Sequence, residues 1–377
     1  MRPEIADRLR ALALQEGLDA IVVCSPENFS YVAGFVVPSQ SLLRHRHAMA
    51  IVSSEGAVTL FGVDMEASTI RSKAPAADLV VWKEFSDNAM SVLAAALSER
   101  GFSAARIGFE LGFLPASDFA LLAEKLPAAT FTAIDAAVAR LRQIKTPSEI
   151  DLLGRLSRIA DKSIADALGS VTAGDTEMDI AGSLTRNIFE AGADDFKLMI
   201  IATGERSQLP NVGPSTRSLR PRDVCRVEIF SVIDGYQAGV CRTAVVEEAP
   251  AHADEIWRVL VDCKYMLLDE IRPGASCKAI YAKFLDMFER HRLPPISFVA
   301  HGIGLFLHED PYVSATPTIG SSDDALLEAG MVLGFEPLCY RTGHGYGMQN
   351  KDMLVVTETG CTLLSDHTDT DQLLVIT

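Results

Sequence analysis

The chain has 377 residues and a formal net charge of −16, with 48% hydrophobic and 22% charged residues. This length predicts two domains, and the composition is typical of a soluble globular protein. The negative charge argues against nucleic acid as a partner, because phosphate backbones bind basic surfaces. No apolar run approaches the roughly 18 residues of a membrane span.

The compartment is predicted from the N-terminal segment and the cysteines. The first residues, MRPEIADRLRALALQEG, are typical of an amphipathic helix and lack the apolar centre of a signal peptide. The seven cysteines show no CxxC motif and no paired spacing, which favours reduced thiols. We therefore expect a cytoplasmic protein.

The first part of the chain alternates helical and strand patterns, which predicts a mixed sheet covered by helices. Helices are predicted over residues 7–16 and 88–100, and strands over residues 20–24, 48–53, 57–62 and 106–109.

A domain boundary is predicted at residues 141–168, where Thr146 and Pro147 begin a long helix. The predicted domains are therefore residues 1–140 and 141–377. Beyond the boundary the patterns predict further helices and strands. The helices are predicted over residues 176–191, 254–271 and 277–290, and the strands around residues 224–230 and 236–246.

Three C-terminal segments carry the most specific motifs. They are VCRVEIFSVIDGYQAGVCRT (224–243), AHGIGLFLHEDP (300–311) and GMVLGFEPLCYRTGHGYGMQNKDMLVVT (330–357). With the IKTPSEI join (144–150), they resemble the creatinase/prolidase/methionine aminopeptidase family, the pita-bread or peptidase M24-like hydrolases. The resemblance implies an α/β (α+β) protein, in which a creatinase-like mixed-sheet domain precedes a pita-bread catalytic domain.

The family's metal-dependent members bind two divalent ions with two Asp, one His and two Glu. On this pattern the ligand positions fall, in chain order, on Glu228, Gly239, His301, Glu336 and Lys351. Only the histidine and the second-last carboxylate keep their identity. The resemblance therefore implies the creatinase-like, metal-free subgroup, and we expect no cofactor. A divalent metal such as Mn or Zn is the alternative.

Lys351 changes the charge of the predicted site. Together with Glu228 and Glu336 it gives a net charge of −1, which favours a cationic group on the substrate. Two alternatives stay open at this point. In the first, the Lys351 side chain would point to solvent and not into the site. In the second, Glu228 would face solvent together with Arg226, which lies two positions before it on the same face of the predicted strand.

Four side chains are candidate catalytic groups: Glu336, His301, Glu228 and His308. Glu336 lies in the apolar segment VLGFEPL, where a carboxylate is costly unless it is paired. Desolvation raises the pKa of such a carboxylate towards neutrality, which suits a general base that activates water.

Other residues are candidate substrate contacts, together with Lys351. By resemblance, the creatinase base falls on Asn211, whose amide orients a substrate but accepts no proton, and a substrate-binding glutamate falls on Cys241. Cys241 is either a nucleophile or a packing residue. Tyr340 follows Glu336 in the substrate-pocket loop, and Arg44 and Arg46 are placed where a dimer partner contributes to the site.

We therefore expect a homodimeric, metal-independent hydrolase of a C–N bond in a small nitrogenous carboxylate. Its substrate would be an amidine, cyclic amidine or amide, as for creatinase or ectoine hydrolases. One alternative is an Xaa-Pro-type metallopeptidase with an altered metal site. The other is a non-catalytic small-molecule-binding protein with the same fold.

Overall fold

The computed structural model describes residues 2–318 and 323–377. The chain forms two compact units, Met1–Arg142 and Gln143–Thr377, where the join was predicted between residues 140 and 141. Each unit combines strands and helices, so the predicted α/β class is confirmed. Within the described ranges, no helix is both long and apolar enough to cross a membrane.

The N-terminal unit contains one six-stranded sheet in the order β4-β3-β2-β1-β5-β6. Its strands are β1 (Ala20–Val23), β2 (Met49–Ser53), β3 (Val58–Val63), β4 (Asp78–Trp82), β5 (Arg106–Phe109) and β6 (Thr130–Ala133). Pairing is antiparallel between β1 and β2 and between β2 and β3, and parallel elsewhere. All four residues of β1 are buried, because this apolar run lies in the middle of the sheet.

Six helices and one short 3-10 helix accompany this sheet. They are α1 (Pro3–Glu16), α2 (Pro26–Ala33), a 3-10 helix (Asp64–Glu66), α3 (Ala67–Lys73), α4 (Ala89–Glu99), α5 (Ala116–Lys125) and α6 (Asp135–Gln143). Helix α4 begins where the sequence predicts it, because the Asn88 side chain accepts a hydrogen bond from the Ser91 backbone N–H at 3.0 Å.

The C-terminal unit begins with a capped helix. Thr146 and Glu149 form a capping box, in which the Glu149 carboxylate accepts from the Thr146 N–H at 2.8 Å. The helices of this unit are α7 (Pro147–Leu168), α8 (Glu177–Glu190), α9 (Ala253–Glu270) and α10 (Cys277–Arg290), with a 3-10 helix at Gly204–Gln208. Helix α10 has the predicted bounds.

The strands of the C-terminal unit form three sheets, ordered β17-β9-β8-β7, β11-β10-β12-β15-β16 and β13-β14. They are β7 (Asp195–Thr203), β8 (Val224–Ile233), β9 (Tyr236–Val246), β10 (Phe298–Gly302), β11 (Glu309–Ser314), β12 (Val332–Phe335), β13 (Leu338–Cys339), β14 (Met348–Gln349), β15 (Asp352–Val356), β16 (Cys361–Leu363) and β17 (Leu374–Ile376).

The β8–β9 hairpin approaches the second sheet next to the start of β15. Glu228 pairs with Cys241 across the hairpin, and Cys241 in turn forms an antiparallel bridge with Lys351. The two backbone hydrogen bonds of that bridge are 3.1 and 3.3 Å long. Residues more than 100 positions apart are thereby brought side by side.

Candidate active site

A cavity of about 640 Å³ lies in the C-terminal unit, above the point where the hairpin meets the second sheet. Most of its lining is apolar, including Phe230, Ile296 and Phe298. The polar side chains that line it are Asn211, Glu228, Ser297, His308, Glu336, Tyr340 and Lys351. A cavity of this size that combines apolar walls with a few charged groups is typical of a small-molecule site.

Lys351 lies between two carboxylates at the floor of this cavity. Its Nζ is 3.1 Å from Glu228 Oε1 and 3.1 Å from Glu336 Oε2, and it lies 4.6 Å from the centroid of the Phe230 ring. Burial alone would lower the pKa of Lys351, but Glu336 and Glu228 raise it above its usual value. The lysine is therefore a fixed ammonium, and it does not point to solvent.

The backbone around Lys351 is held by Arg242 on β9. Arg242 Nη1 donates to the Lys351 carbonyl at 2.9 Å, while its Nε and Nη2 contact Asp161 and Asp352 at 2.8 Å each. Arg242 is buried, and the two carboxylates compensate its charge. This support fixes the strand position from which the Lys351 side chain enters the cavity.

Glu336 follows β12 and has two different oxygen environments. Its Oε2 contacts Lys351 and accepts a hydrogen bond from Gln349 Nε2 at 2.9 Å. Its Oε1 lies 3.9 Å from His301 Nε2. Burial raises the pKa of Glu336 above its ordinary value, with the Lys351 ammonium acting in the opposite direction. One carboxylate oxygen thus remains available for chemistry.

His301 and His308 stack in parallel, with ring centroids 3.8 Å apart and an interplanar angle of 3°. His301 Nδ1 lies 2.8 Å from the Gly302 carbonyl, which only accepts, so Nδ1 carries the proton and Nε2 is a bare acceptor. That Nε2 is buried and has no hydrogen-bond partner in the described parts of the chain. Burial lowers the pKa of His301 well below its usual value and that of His308 to about 4.

Arg226 is a member of this cluster that the sequence analysis did not include. It is fully buried on β8, and its guanidinium lies 3.8 Å from Glu228 Oε2 and 5.0 Å from the centroid of the Tyr340 ring. The alternation of Arg226 and Glu228 was the available signal, but it also fitted a solvent-facing pair. The structure shows both side chains buried, so that alternative is wrong.

The predicted net charge of −1 is therefore also wrong. Glu228 and Glu336 contribute −2, while Lys351 and Arg226 contribute +2, and burial keeps the two histidines neutral. This group of four charges is neutral, and it gives no general preference for a cationic substrate.

The remaining predicted site residues differ in whether they line the cavity. Asn211 and Tyr340 line the cavity, whereas Cys241 is fully buried and is not part of the lining. Burial raises the pKa of Cys241 well above its usual value, which argues against a thiolate nucleophile. Arg46 contacts Glu84 at 2.8 Å within the N-terminal unit, and Arg44 is exposed there. A substrate-binding role for these two arginines stays a prediction.

Comparison with known proteins identifies the class. Metallopeptidase family M24 matches residues 151–358, and the Creatinase/Prolidase N-terminal domain matches residues 6–144. The chain belongs to metallopeptidase family M24, a family of hydrolases, and the predicted pita-bread resemblance is confirmed.

Similar proteins include both peptidases and a creatinase. The chain is 27% identical to the Xaa-Pro dipeptidase of Pyrococcus furiosus over 245 residues, covering 64% of this chain and 68% of that protein. It is 25% identical to the creatinase of a Bacillus species over 369 residues, covering 94% and 87%. The X-Pro aminopeptidase of Thermotoga maritima has the same fold, with a TM-score of 0.84, 21% identity and coverage of 98% and 99%.

The prediction that the protein takes no cofactor is wrong. The chain belongs to a family of metallopeptidases, and that family and its prolidases typically use two divalent ions such as Mn, Zn or Co. Family membership therefore implies a metal. The resemblance to creatinase alone is not sufficient to exclude a metal.

The side chains at the five ligand positions nevertheless do not fit a pair of divalent ions. Lys351 places an ammonium 3.1 Å from both Glu228 and Glu336. At Gly239, an added Cβ would lie 2.3 Å from the Phe230 ring, so this packing leaves no space for a carboxylate. Over residues 2–318 and 323–377, no three His, Cys, Asp or Glu side chains are arranged to hold a metal ion.

Proposed function

We propose that this protein hydrolyses the amide C–N bond of a small substrate, with Xaa-Pro dipeptides as the first substrate class. The observation that carries the proposal is the neutral cluster of Glu228, Glu336, Lys351 and Arg226 below an apolar cavity. Such a site suits a substrate without excess charge, as a zwitterionic dipeptide is. The similarity to an Xaa-Pro dipeptidase favours the same class.

In this proposal Glu336 is the general base. Its free Oε1 and the bare His301 Nε2 are 3.9 Å apart, which leaves room for one water molecule that donates a hydrogen bond to each. Glu336 removes a proton from this water, and the oxygen bonds to the substrate's carbonyl carbon. Burial raises the pKa of Glu336, which makes it a stronger base than an exposed carboxylate.

The tetrahedral intermediate then needs stabilisation and a proton for the leaving group. Lys351 Nζ has three hydrogens, and two of them face Glu228 and Glu336. The third is available to the developing oxyanion, which places a fixed positive charge where negative charge appears. Glu336 returns its proton to the amide nitrogen, the C–N bond breaks, and an amine and a carboxylic acid form. The acid then loses its remaining hydroxyl proton to the released amine or to solvent, so the products leave as a carboxylate and an ammonium or amine.

A second candidate is a non-peptide C–N substrate, such as a guanidino compound or a cyclic amidine. The creatinase similarity favours it, since that similarity spans 94% of this chain, while the dipeptidase similarity spans 64%. The neutral cluster does not separate the two candidates by net charge, because creatine and ectoine are zwitterions at neutral pH, as a dipeptide is.

The test is a substrate panel with purified protein: Ala-Pro, Leu-Pro, Ala-Ala, creatine and ectoine, each with Mn²⁺ and with chelator. We expect amine release from the Xaa-Pro dipeptides in at least one condition, and at least ~100-fold less from Glu336→Gln. Arg290→Met, an exposed change on α10, is the control that keeps activity. Turnover of creatine or ectoine alone would support the second candidate, and binding without turnover would indicate a binding protein.

The predicted homodimer and cytoplasmic location stay predictions. Dimers are common in this family. Sedimentation equilibrium tests the prediction directly, since a mass near the 40.7 kDa of one chain would count against a dimer.

A further inference from the structure

Arg226 belongs to the charged cluster, but no step of the proposed mechanism uses it. Its guanidinium is fully buried and does not line the cavity. Instead it holds parts of the cavity wall: Nη2 donates to the carbonyls of Leu209 and Pro210, and the guanidinium lies over the ring of Tyr340. Pro210 and Tyr340 both line the cavity.

Arg226 also reaches Glu336 through one intermediate side chain. Its Nη1 donates to Gln349 Oε1 at 2.9 Å, and Gln349 Nε2 donates to Glu336 Oε2 at 2.9 Å. A guanidinium has only donors, so it fixes which end of the Gln349 amide faces it. The amide nitrogen must then face Glu336. This arrangement occupies Oε2 and leaves Oε1 towards His301.

The charge of Arg226 has a separate consequence. With it, the four charges of the cluster sum to zero, and without it the sum is −1. Inside a buried cluster such a difference acts strongly on a charged ligand, because the local dielectric is low.

We propose that Arg226 is a positioning and specificity residue of this site. It orients Glu336 through Gln349, and its charge makes the cavity favour uncharged or zwitterionic amides over cationic substrates. The inference rests on the proposed function, because a hydrolytic role of Glu336 is assumed.

Two substitutions separate these roles. Arg226→Met removes the charge and the hydrogen bonds, while Arg226→Lys keeps the charge but loses the planar guanidinium that contacts Gln349 and the two carbonyls together. Methylguanidinium, titrated calorimetrically, measures preference for a cation without any turnover. Arg290→Met is the matched control, since Arg290 is exposed on α10 and paired only with Asp286 among the described contacts.

For Arg226→Met we expect methylguanidinium to bind at least ~10-fold more tightly than to wild type. For Arg226→Lys we expect methylguanidinium binding within ~3-fold of wild type. On the best dipeptide, kcat should fall at least ~10-fold while KM changes less, because Arg226 positions a catalytic residue without contacting the substrate. Arg290→Met matches wild type in both measurements. If Arg226→Met does not fold, Arg226→Gln, which also removes the charge, replaces it in the methylguanidinium titration with the same expected result. Gln349→Leu tests the positioning role separately and is expected to lower kcat without changing methylguanidinium binding.

Unchanged methylguanidinium binding in Arg226→Met would overturn the specificity role, and unchanged kcat in both Arg226→Lys and Gln349→Leu would overturn the positioning role. If the wild type hydrolyses no amide, the proposed function fails, but the methylguanidinium titration still decides on the charge of Arg226.

Discussion

Lys351 and Asp352 are adjacent in the chain, and each lies in a buried charged cluster of its own. Around Asp352, every charge has a close partner: Arg242 contacts Asp161 and Asp352 at 2.8 Å, and Lys264 lies 3.0 Å from Asp352. Around Lys351 the contacts are longer, from 3.1 to 3.9 Å. The two clusters differ in how completely their charges are paired.

The Lys351 cluster also contains polar atoms without partners. His301 Nε2 and Arg226 Nε are buried and make no hydrogen bond to any residue in the described parts of the chain. Asp352 Oδ2 in the other cluster also makes no hydrogen bond there, but it is ion-paired with Lys264 at 3.0 Å. Such atoms are costly in a folded protein. We infer that the Asp352 cluster serves stability, while the bare His301 Nε2 of the Lys351 cluster keeps hydrogen-bonding capacity for a water molecule.

The largest expected effect is on stability, in the closely paired cluster. Arg242→Met removes the cation that Asp161 and Asp352 share, so the charges of these two buried carboxylates are no longer fully compensated. We therefore expect a loss of ~3–5 kcal/mol in the free energy of unfolding. Urea denaturation followed by circular dichroism measures this loss. Arg290→Met removes an exposed ion pair and should change the free energy by less than ~1 kcal/mol. Equal effects of the two substitutions would show that the buried Arg242 pairs stabilise the fold no more than an exposed ion pair does.

The next effect is on turnover, in the Lys351 cluster. Glu336→Gln keeps the shape of the side chain but removes the base, so we expect kcat on the best substrate to fall at least ~100-fold. The free energy of unfolding should change much less than in Arg242→Met, because Glu228 still pairs with Lys351. Full activity of this variant would show that another group activates the water.

The pH dependence of stability tests the burial of His301. Burial holds the pKa of folded His301 well below the unfolded value of 6.5, so the unfolded state binds more protons at acidic pH. Its contribution to stability is present above pH 6.5 and is lost as the pH falls below that value towards the folded pKa.

Urea titrations at pH 7.5 and 5.5 measure this loss, and His301→Asn, which has no imidazole, should show a smaller difference between the two pH values. The same pH difference in both proteins would mean that His301 is protonated in the folded state or does not contribute.

The smallest expected effect is at Cys241, between the two clusters. Its thiol lies outside the cavity lining, and its backbone, not its sulfur, contacts Lys351. Cys241→Ser should therefore keep at least a tenth of wild-type activity, since no ~10²-fold nucleophilic contribution is lost. An inactive, folded Cys241→Ser protein together with an active Glu336→Gln protein would indicate a thiol mechanism.

The sequence by itself determined several of the local elements and the family. Helix α10 has the predicted bounds, and α4 lies within the helix predicted over residues 88–100, because apolar periodicity and capping residues act within a few positions of the chain. Motifs around Glu228, His301 and Glu336 were enough to identify the family, since they keep a characteristic order and spacing.

Only the tertiary structure decided the charge and the fit of the site. Arg226 contacts Gln349 across 123 positions, and Cys241 contacts Lys351 across a bridge between two sheets. The Phe230 ring fills the space beside Gly239 because the hairpin register pairs these two residues. Periodicity shows which residues share a face of one strand, but it does not show which distant side chain meets them, and buried charge depends on those distant partners.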